Sequence, residues 1–289
     1  MGAVANITEL GNSVNPTDVI SSAIAPALVK KVCMPNLMHT ESLPDRTLVK
    51  KHPKRGTLTA AALAEATALA VNGDGELTDS SVSSTIAKCA VSSGLSVEQL
   101  QFGAIDAARI AEEQASAIAR FVDNDALGLF SGLATSVTAA STLTLDDIML
   151  AQYSIFNSEC PNKEVNLAVV LSHKGHYNIK KEIVQSGASP FTNQSYLEVL
   201  GSNPQPNCYV GSMPGFDFYA TSGHATSGGD TVQAVFHPQW CFGGNFAAAP
   251  QFVSNMKGAE GLYMEIVGYF FYDVFEWNDL AGVKVLSDT

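Results

Sequence analysis

Hydrophobic positions change their period several times along the chain, and each change marks a different element. From Phe102 to Phe130 there is no proline, and Ile105, Ala108, Ala111, Ala115, Ile118 and Val122 recur on one helical stripe. Arg109, Glu112, Glu113 and Arg120 fall largely outside it. This pattern predicts a long helix of about seven turns, a spine with a small-residue seam. Ser96, followed by Glu98 and Gln99, is the expected N-cap. Downstream, Thr144-x-x-Asp147 is a capping-box start for a helix through Phe156. The run at 165–172, VNLAVVLS, is apolar throughout and predicts a buried strand. Ser172 caps the helix expected next, which Gly187 stops, and a short helix at 194–200 ends at Gly201. CYVGSM, FDFYATS, TVQAVFH and PQFVSN read as four short strands between Gly, Pro and Ser turns.

Two stretches carry apolar or strand-forming patterns that one chain has difficulty covering. RTLVKK (46–51) and VSSTIAKCAV (82–91) predict the two strands of a long hairpin, interrupted after the first by Pro53 and Gly56. Few large apolar residues lie near its second strand, and an isolated two-stranded ribbon is marginal in water, so a neighbouring surface must support it. The second stretch, Gly261 to Val285, predicts a long strand pair joined by a turn at 278–282. Its first strand places six aromatics, Tyr269, Phe270, Phe271, Tyr272, Phe275 and Trp277, in nine positions. Strand side chains alternate, so both faces are aromatic. One face can cover the chain's own core; the other needs a second layer or a neighbouring subunit. Near the N-terminus, Thr17 to Val32 predicts one short amphipathic helix, ended or kinked at Pro26, on a segment too thin to fold alone.

The 289 residues are 46% hydrophobic and 15% charged, which excludes disorder for most of the chain and leaves room for one or two cores. No window reaches the ~18–20 uninterrupted apolar residues of a membrane helix, and the N-terminus lacks the pattern of a secretory signal. A soluble intracellular protein is expected. A net charge of −12 argues against a free nucleic-acid binder. Yet seven of the 16 basic residues lie in one early segment: Lys30, Lys31, Arg46, Lys50, Lys51, Lys54 and Arg55. They form either a solvated basic loop or a docking segment for acidic surface, including that of another copy.

Motifs that carry chemistry are weak. The five cysteines, Cys33, Cys89, Cys160, Cys208 and Cys241, are dispersed and read as reduced, mostly buried small hydrophobes. His173-x-x-His176 with Cys160 upstream lacks a fourth ligand at metal-site spacing, so two surface histidines on a helical turn are expected. Asp146-Asp147 is accounted for by the helix cap. Gly211-Ser212-Met213-Pro214-Gly215 is not a nucleophile elbow, and Gly228-Gly229 and Gly243-Gly244 read as isolated turn pairs. Cys241 has no histidine or asparagine context for a thiol nucleophile. No catalytic residue, cofactor site or metal site is expected.

The order of parts is a basic arm, a long hairpin, a spine helix, an α/β lobe and an aromatic return strand. Its anchors are Leu63-Ala64-Glu65-Ala66-Thr67, Gly94-Leu95-Ser96-Val97-Glu98, Ala119-Arg120-Phe121-Val122-Asp123 with Asp125, Leu143-x-x-Asp146-Asp147-Ile148, Val169-Val170-Leu171-Ser172 and Gly282-Val283-Lys284-Val285-Leu286. In order and spacing this layout resembles the major capsid proteins of tailed bacteriophages. The resemblance implies an α+β fold: an N-arm (1–42), an E-loop hairpin (43–92), a P-domain of spine helix and return strands (93–142 and 261–289), and a mixed α/β axial A-domain (143–260). It implies an icosahedral head-shell subunit of the virion that forms hexamers and pentamers and is assembled in the host cytoplasm. Separate scaffolding, portal and decoration proteins are implied as partners, with packaged double-stranded DNA contacted non-specifically and no membrane contact. Because the arm begins at Met1, any scaffold is expected to be a separate protein. The basic residues above, with Phe271, Phe275 and Trp277, are the expected inter-subunit contacts. Some members of the family cross-link an E-loop lysine to a neighbour's asparagine with the help of a glutamate; here no motif identifies the asparagine. The alternatives are an encapsulin-type compartment, which shares the fold, and an α/β enzyme using His173, His176 and Cys160 or Cys241.

Overall fold

The computed structural model describes residues 32–43, 48–54, 80–96, 107–139, 142–158, 166–185, 208–247, 251–257 and 263–288. The expected arm helix, Lys30, Lys31, Arg46, Arg55, Cys160, the hairpin tip and the helix at 194–200 lie outside the described residues. A 3-10 turn at Met34–Asn36 precedes strands β1 (His39–Ser42), β2 (Val49–Lys54), β3 (Ser80–Thr85) and β4 (Ala87–Ser96). Then come α1 (Ala107–Gly128), β5 (Ser136–Thr138), α2 (Leu145–Asn157), β6 (Leu167–Ser172) and α3 (His173–Gln185). The remaining strands are β7 (Tyr209–Met213), β8 (Phe216–Thr221), β9 (Thr226–Ser227), β10 (Asp230–Phe236), β11 (Phe242–Phe246), β12 (Gln251–Lys257), β13 (Tyr263–Glu276) and β14 (Gly282–Asp288). The fold is α+β.

Two sheets organise these elements. In the five-stranded sheet, β13 is the shared member: β12 pairs with its first half, β11 with its last five residues, and β4 with Tyr263 through Tyr272. β1 adds parallel to β11. The seven-stranded sheet has the order β5-β14-β10-β6-β8-β7, with β9 on β10. Its central strand β6 is buried along nearly its whole length, as the apolar run predicts. Alternation sends Leu167, Val169 and Leu171 to a core under α2 and α3 with Ile148, Ile155 and Ile179. Ala168 and Val170 face the opposite core, with Phe130, Phe236, Phe242 and Met34.

The spine helix joins the sheets. Ile118 and Val122 pack on Phe270 and Tyr272 of β13, while Ala126 and Leu127, about one turn beyond Val122, enter the core against the seven-stranded sheet. Ala115, Ile118 and Val122 are buried, and Glu112, Glu113 and Arg120 are exposed, as the stripe requires. Thr144 and Asp147 form the reciprocal capping box, and the Ser172 hydroxyl accepts from the Gly175 N–H at 2.9 Å. Gly175 is required there, because a Cβ would lie 2.2 Å from Oε1 of Gln233. That buried side chain bridges the Ser172 N–H and the Ser287 hydroxyl.

Several expectations are corrected. Ser96 is not a helix cap; it ends β4, opposite Tyr263. The second hairpin strand breaks at Ile86, so that β3 pairs with β2 in the ribbon and β4 joins the sheet. β2 runs through Pro53, which the edge of a two-stranded ribbon tolerates. β13 and β14 are not a strand pair: they belong to different sheets, and the Asp279–Ala281 turn carries the chain between them. The expected A/P division at 260/261 does not coincide with the sheets, since β11 and β12 pair with β13 while β14 pairs with β10.

Gly243-Gly244 is the most informative miss, because it is not a turn but the middle of buried β11. A Cβ on Gly243 would sit 2.4 Å from Cζ of Phe275, its cross-strand partner, and one on Gly244 would sit 2.8 Å from Cζ of Phe246. Absent side chains let two phenyl rings lie flat on the strand. Gly243→Ala is expected to lower unfolding stability by about 1–3 kcal/mol through overpacking. Gly128→Ala, at a helical φ of −59° with open space around it, is expected to raise stability by about 0.4–1 kcal/mol. Denaturant unfolding of both variants checks the contrast.

Candidate interaction surface

β13 has two faces, and the described residues finish only one of them. Ile266, Phe270 and Tyr272 are buried; Phe270 and Tyr272 pack with Ile118, Val122 and Cys89. The Tyr272 hydroxyl donates to Asp125 Oδ2 at 2.9 Å, and burial together with that carboxylate pushes the phenol up, so it stays protonated. The opposite face carries Val267, Tyr269, Phe271, Asp273 and Phe275. Its far end is covered by the base of the β2–β3 ribbon: His52 stacks on Phe275 with ring centroids 4.1 Å apart. Its near end is open. Phe271 is 37% exposed, and Val253, opposite Val267 on β12, is 53% exposed. Lys88 of β4 lies 4.4 Å from the Tyr269 ring centroid and 5.8 Å from that of Phe271, an exposed cation–π contact. Tyr269 also donates to Gln251.

The ribbon base is held by a polar cluster. Lys50 donates to Glu41 of β1 and, at 3.1 Å, to Oδ1 of Asn245 on β11. The Lys50 ammonium holds the Glu41 carboxyl below its ordinary range. Asn245, fully buried, uses its NH2 toward His52 Nε2 (3.2 Å), Ser84 Oγ (3.4 Å) and Asp273 Oδ2 (3.3 Å).

The expected contact residues therefore divide. Phe275, only 8% exposed, is closed off by His52 of its own chain. Lys50 is turned inward, and half-buried Trp277 tilts against His39 at 5.0 Å. Lys51 is exposed on β2, and Lys54 ends that strand. Phe271 remains open. Sequence reasoning missed Val253 and Lys88, which only the pairing register brings beside Tyr269 and Phe271. It also missed the outer face of α2, where Met149, Leu150, Tyr153 and Phe156 are all exposed. A signal for it existed: this helix is apolar on the face opposite Ile148 and Ile155 as well.

The arm's anchor is built from the spine. Oδ1 of Asp123 accepts from the Cys33 N–H at 3.0 Å and the Met34 N–H at 2.9 Å, satisfying donors at the start of the 3-10 turn. Burial pushes the Asp123 carboxyl upward, against those two bonds. The expectation of two surface histidines holds for His173 but not for His176, whose Nε2 is buried and whose pKa burial lowers. Among the described residues no three His, Cys, Asp or Glu side chains converge as metal ligands, and Cys241 is fully buried.

No protein-family model and no curated protein matches the sequence. Solved structures do match in shape. The capsid of the Cyanophage P-SCSP1u aligns with a TM-score of 0.68 at 10% identity, covering 89% of each chain. The capsid of Ralstonia phage GP4 aligns at 0.67 and 9% identity, over 90% of this chain and 92% of that one. A virus-like particle from Pyrococcus furiosus aligns at 0.63 and 11% identity, over 94% of this chain and all of the other. The chain has the tailed-phage major capsid fold.

Asp123→Ala is expected to cost about 1.5–3 kcal/mol for each charge-assisted bond removed. It should also open the 32–38 segment to protease before the rest of the chain. Denaturant melts and timed limited proteolysis measure both effects.

Proposed function

We propose that this protein is the structural subunit of an icosahedral head shell of a tailed bacteriophage, resident in the virion and not an enzyme. The observation that carries the reading is the unfinished face of β13: among the described residues Val253, Tyr269, Phe271 and Lys88 face outward beside the base of the ribbon. The shared fold with phage capsids supports the same assignment. Hexamers and pentamers of identical chains would cover that face, and the outer face of α2 would supply a second contact. The regions 1–42, 43–92, 93–142 with 261–289, and 143–260 serve in this reading as arm, E-loop, P-domain and A-domain, with strands exchanged between the last two. The basic segment, Lys30 and Lys31 with Arg46, Lys51, Lys54 and Arg55, docks on acidic surface of a neighbouring copy, whose net charge of −12 favours it. That charge leaves contact with packaged double-stranded DNA weak and non-specific. Scaffolding, portal and decoration proteins act as separate partners, and assembly takes place in the host cytoplasm.

Covalent cross-linking through Lys50 is disfavoured, because its ammonium is already donating to Glu41 and Asn245 within the chain and has no lone pair for attack. Purified full-length protein is expected to form closed shells in electron micrographs, and to run as a single monomer band on a denaturing gel. Phe271→Glu places a charge on the open face and is expected to abolish shells while leaving the monomer's unfolding midpoint nearly unchanged. Shell formation undiminished in Phe271→Glu would remove the face from the interface. A wild-type protein that stays monomeric under all assembly conditions would overturn the shell reading.

A further inference from the structure

The polar cluster beneath the ribbon is built around one histidine. Asn245 cannot turn its amide: Lys50 Nζ, which only donates, holds Oδ1 on one side, and Asp273 Oδ2 accepts from Nδ2 on the other. The NH2 group is thereby turned toward His52 Nε2, 3.2 Å away, and Ser84 Oγ, 3.4 Å away, and a lone pair on Nε2 would accept from it. That arrangement matches a neutral His52 with its proton on Nδ1. The ring is almost fully buried, stacked on Phe275 and within 3.2 Å of the Ser84 hydroxyl.

We propose that His52 is a pH-sensitive latch that holds the β2–β3 ribbon on the five-stranded sheet when neutral and releases it when protonated. A proton on Nε2 would set N–H against the Asn245 N–H, with the Ser84 hydroxyl 3.2 Å away, and would place a cation beside the Lys50 ammonium. The charged and titratable groups facing the ring come from every packed element: Lys50 on its own strand, Glu41 and His39 on β1, and Asp273 on β13. Glu41 and Asp273 favour the cation, but Glu41 is already paired with Lys50, and Asp273 Oδ2 is engaged by the Asn245 amide. Burial dominates and lowers the His52 pKa from 6.5. The sign follows. A docked ribbon takes up its proton at lower pH than a released one, so docking is at full strength above the ordinary histidine value. It weakens as pH falls through that value, and the loss ends below the depressed one.

Hydrogen–deuterium exchange of the full-length protein, corrected for intrinsic rates, tests this. Peptides covering 48–54 and 80–86 are expected to lose up to about tenfold protection between pH 6.5 and 5.5, the limit for one proton. Peptides from β6 and β10 are expected to hold theirs. His52→Gln keeps an acceptor facing Asn245 without titrating, and is expected to flatten the profile. Unchanged ribbon protection in the wild type, or an equal loss in His52→Gln, overturns the latch. Ring 15N shifts of wild-type His52 at neutral pH give a check that needs no variant: a lone pair at Nε2 supports the latch, and a protonated Nε2 refutes it. None of these readouts depends on shell assembly.

Discussion

A fourteen-residue strand with aromatic side chains on both faces is the constraint from which the rest of the structure follows. A strand that pairs along both edges and is apolar on both faces needs four coverings. β13 obtains its edges from β4 on one side and from β11 and β12 in succession on the other. One face is closed by the spine helix, whose small-residue seam lets Ile118 and Val122 reach Phe270 and Tyr272. Among the described residues the other is closed where the ribbon base lies, and Gly243 of β11 leaves room for Phe275 to settle there. What stays open is the patch that a second copy covers in the proposed shell, which ties the packing of one strand to the proposed role of the whole chain.

The same strand dictates how the two sheets are held together. After Glu276 the chain turns through Asn278, whose side chain accepts from the Leu280 N–H, and enters the other sheet as β14. The spine helix makes the second connection and the arm anchor the third, with Asp123 fastening residues 33 and 34 onto α1. These links act beside the direct crossover from β10 to β11, whereas the ribbon is attached chiefly by polar contacts. In the proposed shell, polar attachment of an otherwise thin ribbon would suit a part that accommodates unequal neighbours.

Local signals in the sequence were enough to place the spine helix, the capped helices α2 and α3, the buried strand β6 and the hairpin base, because each rests on a period or a cap. Long-range pairing was not legible. Nothing in VSSTIAKCAV marks Ile86 as the residue where the chain leaves one sheet for another. Gly243-Gly244 resembles a turn until Phe275 is known to lie above it. The aromatic face was readable from alternation alone, but which aromatics remain open depends on where the ribbon lands, so Phe275 was expected outside and is found inside. Likewise Val253 and Lys88 join the patch only through register. The histidine latch has no sequence signal, since it arises from four elements meeting at one amide.

The most direct measurement of the central claim is a cryo-EM reconstruction of particles assembled from the purified full-length chain. The account predicts closed shells in which density from an adjacent subunit covers Val253, Tyr269 and Phe271, with His52 still stacked on Phe275 of its own chain at neutral pH. Closed shells that leave this face to solvent would contradict the role given to β13, and a protein that remains monomeric would contradict the shell itself.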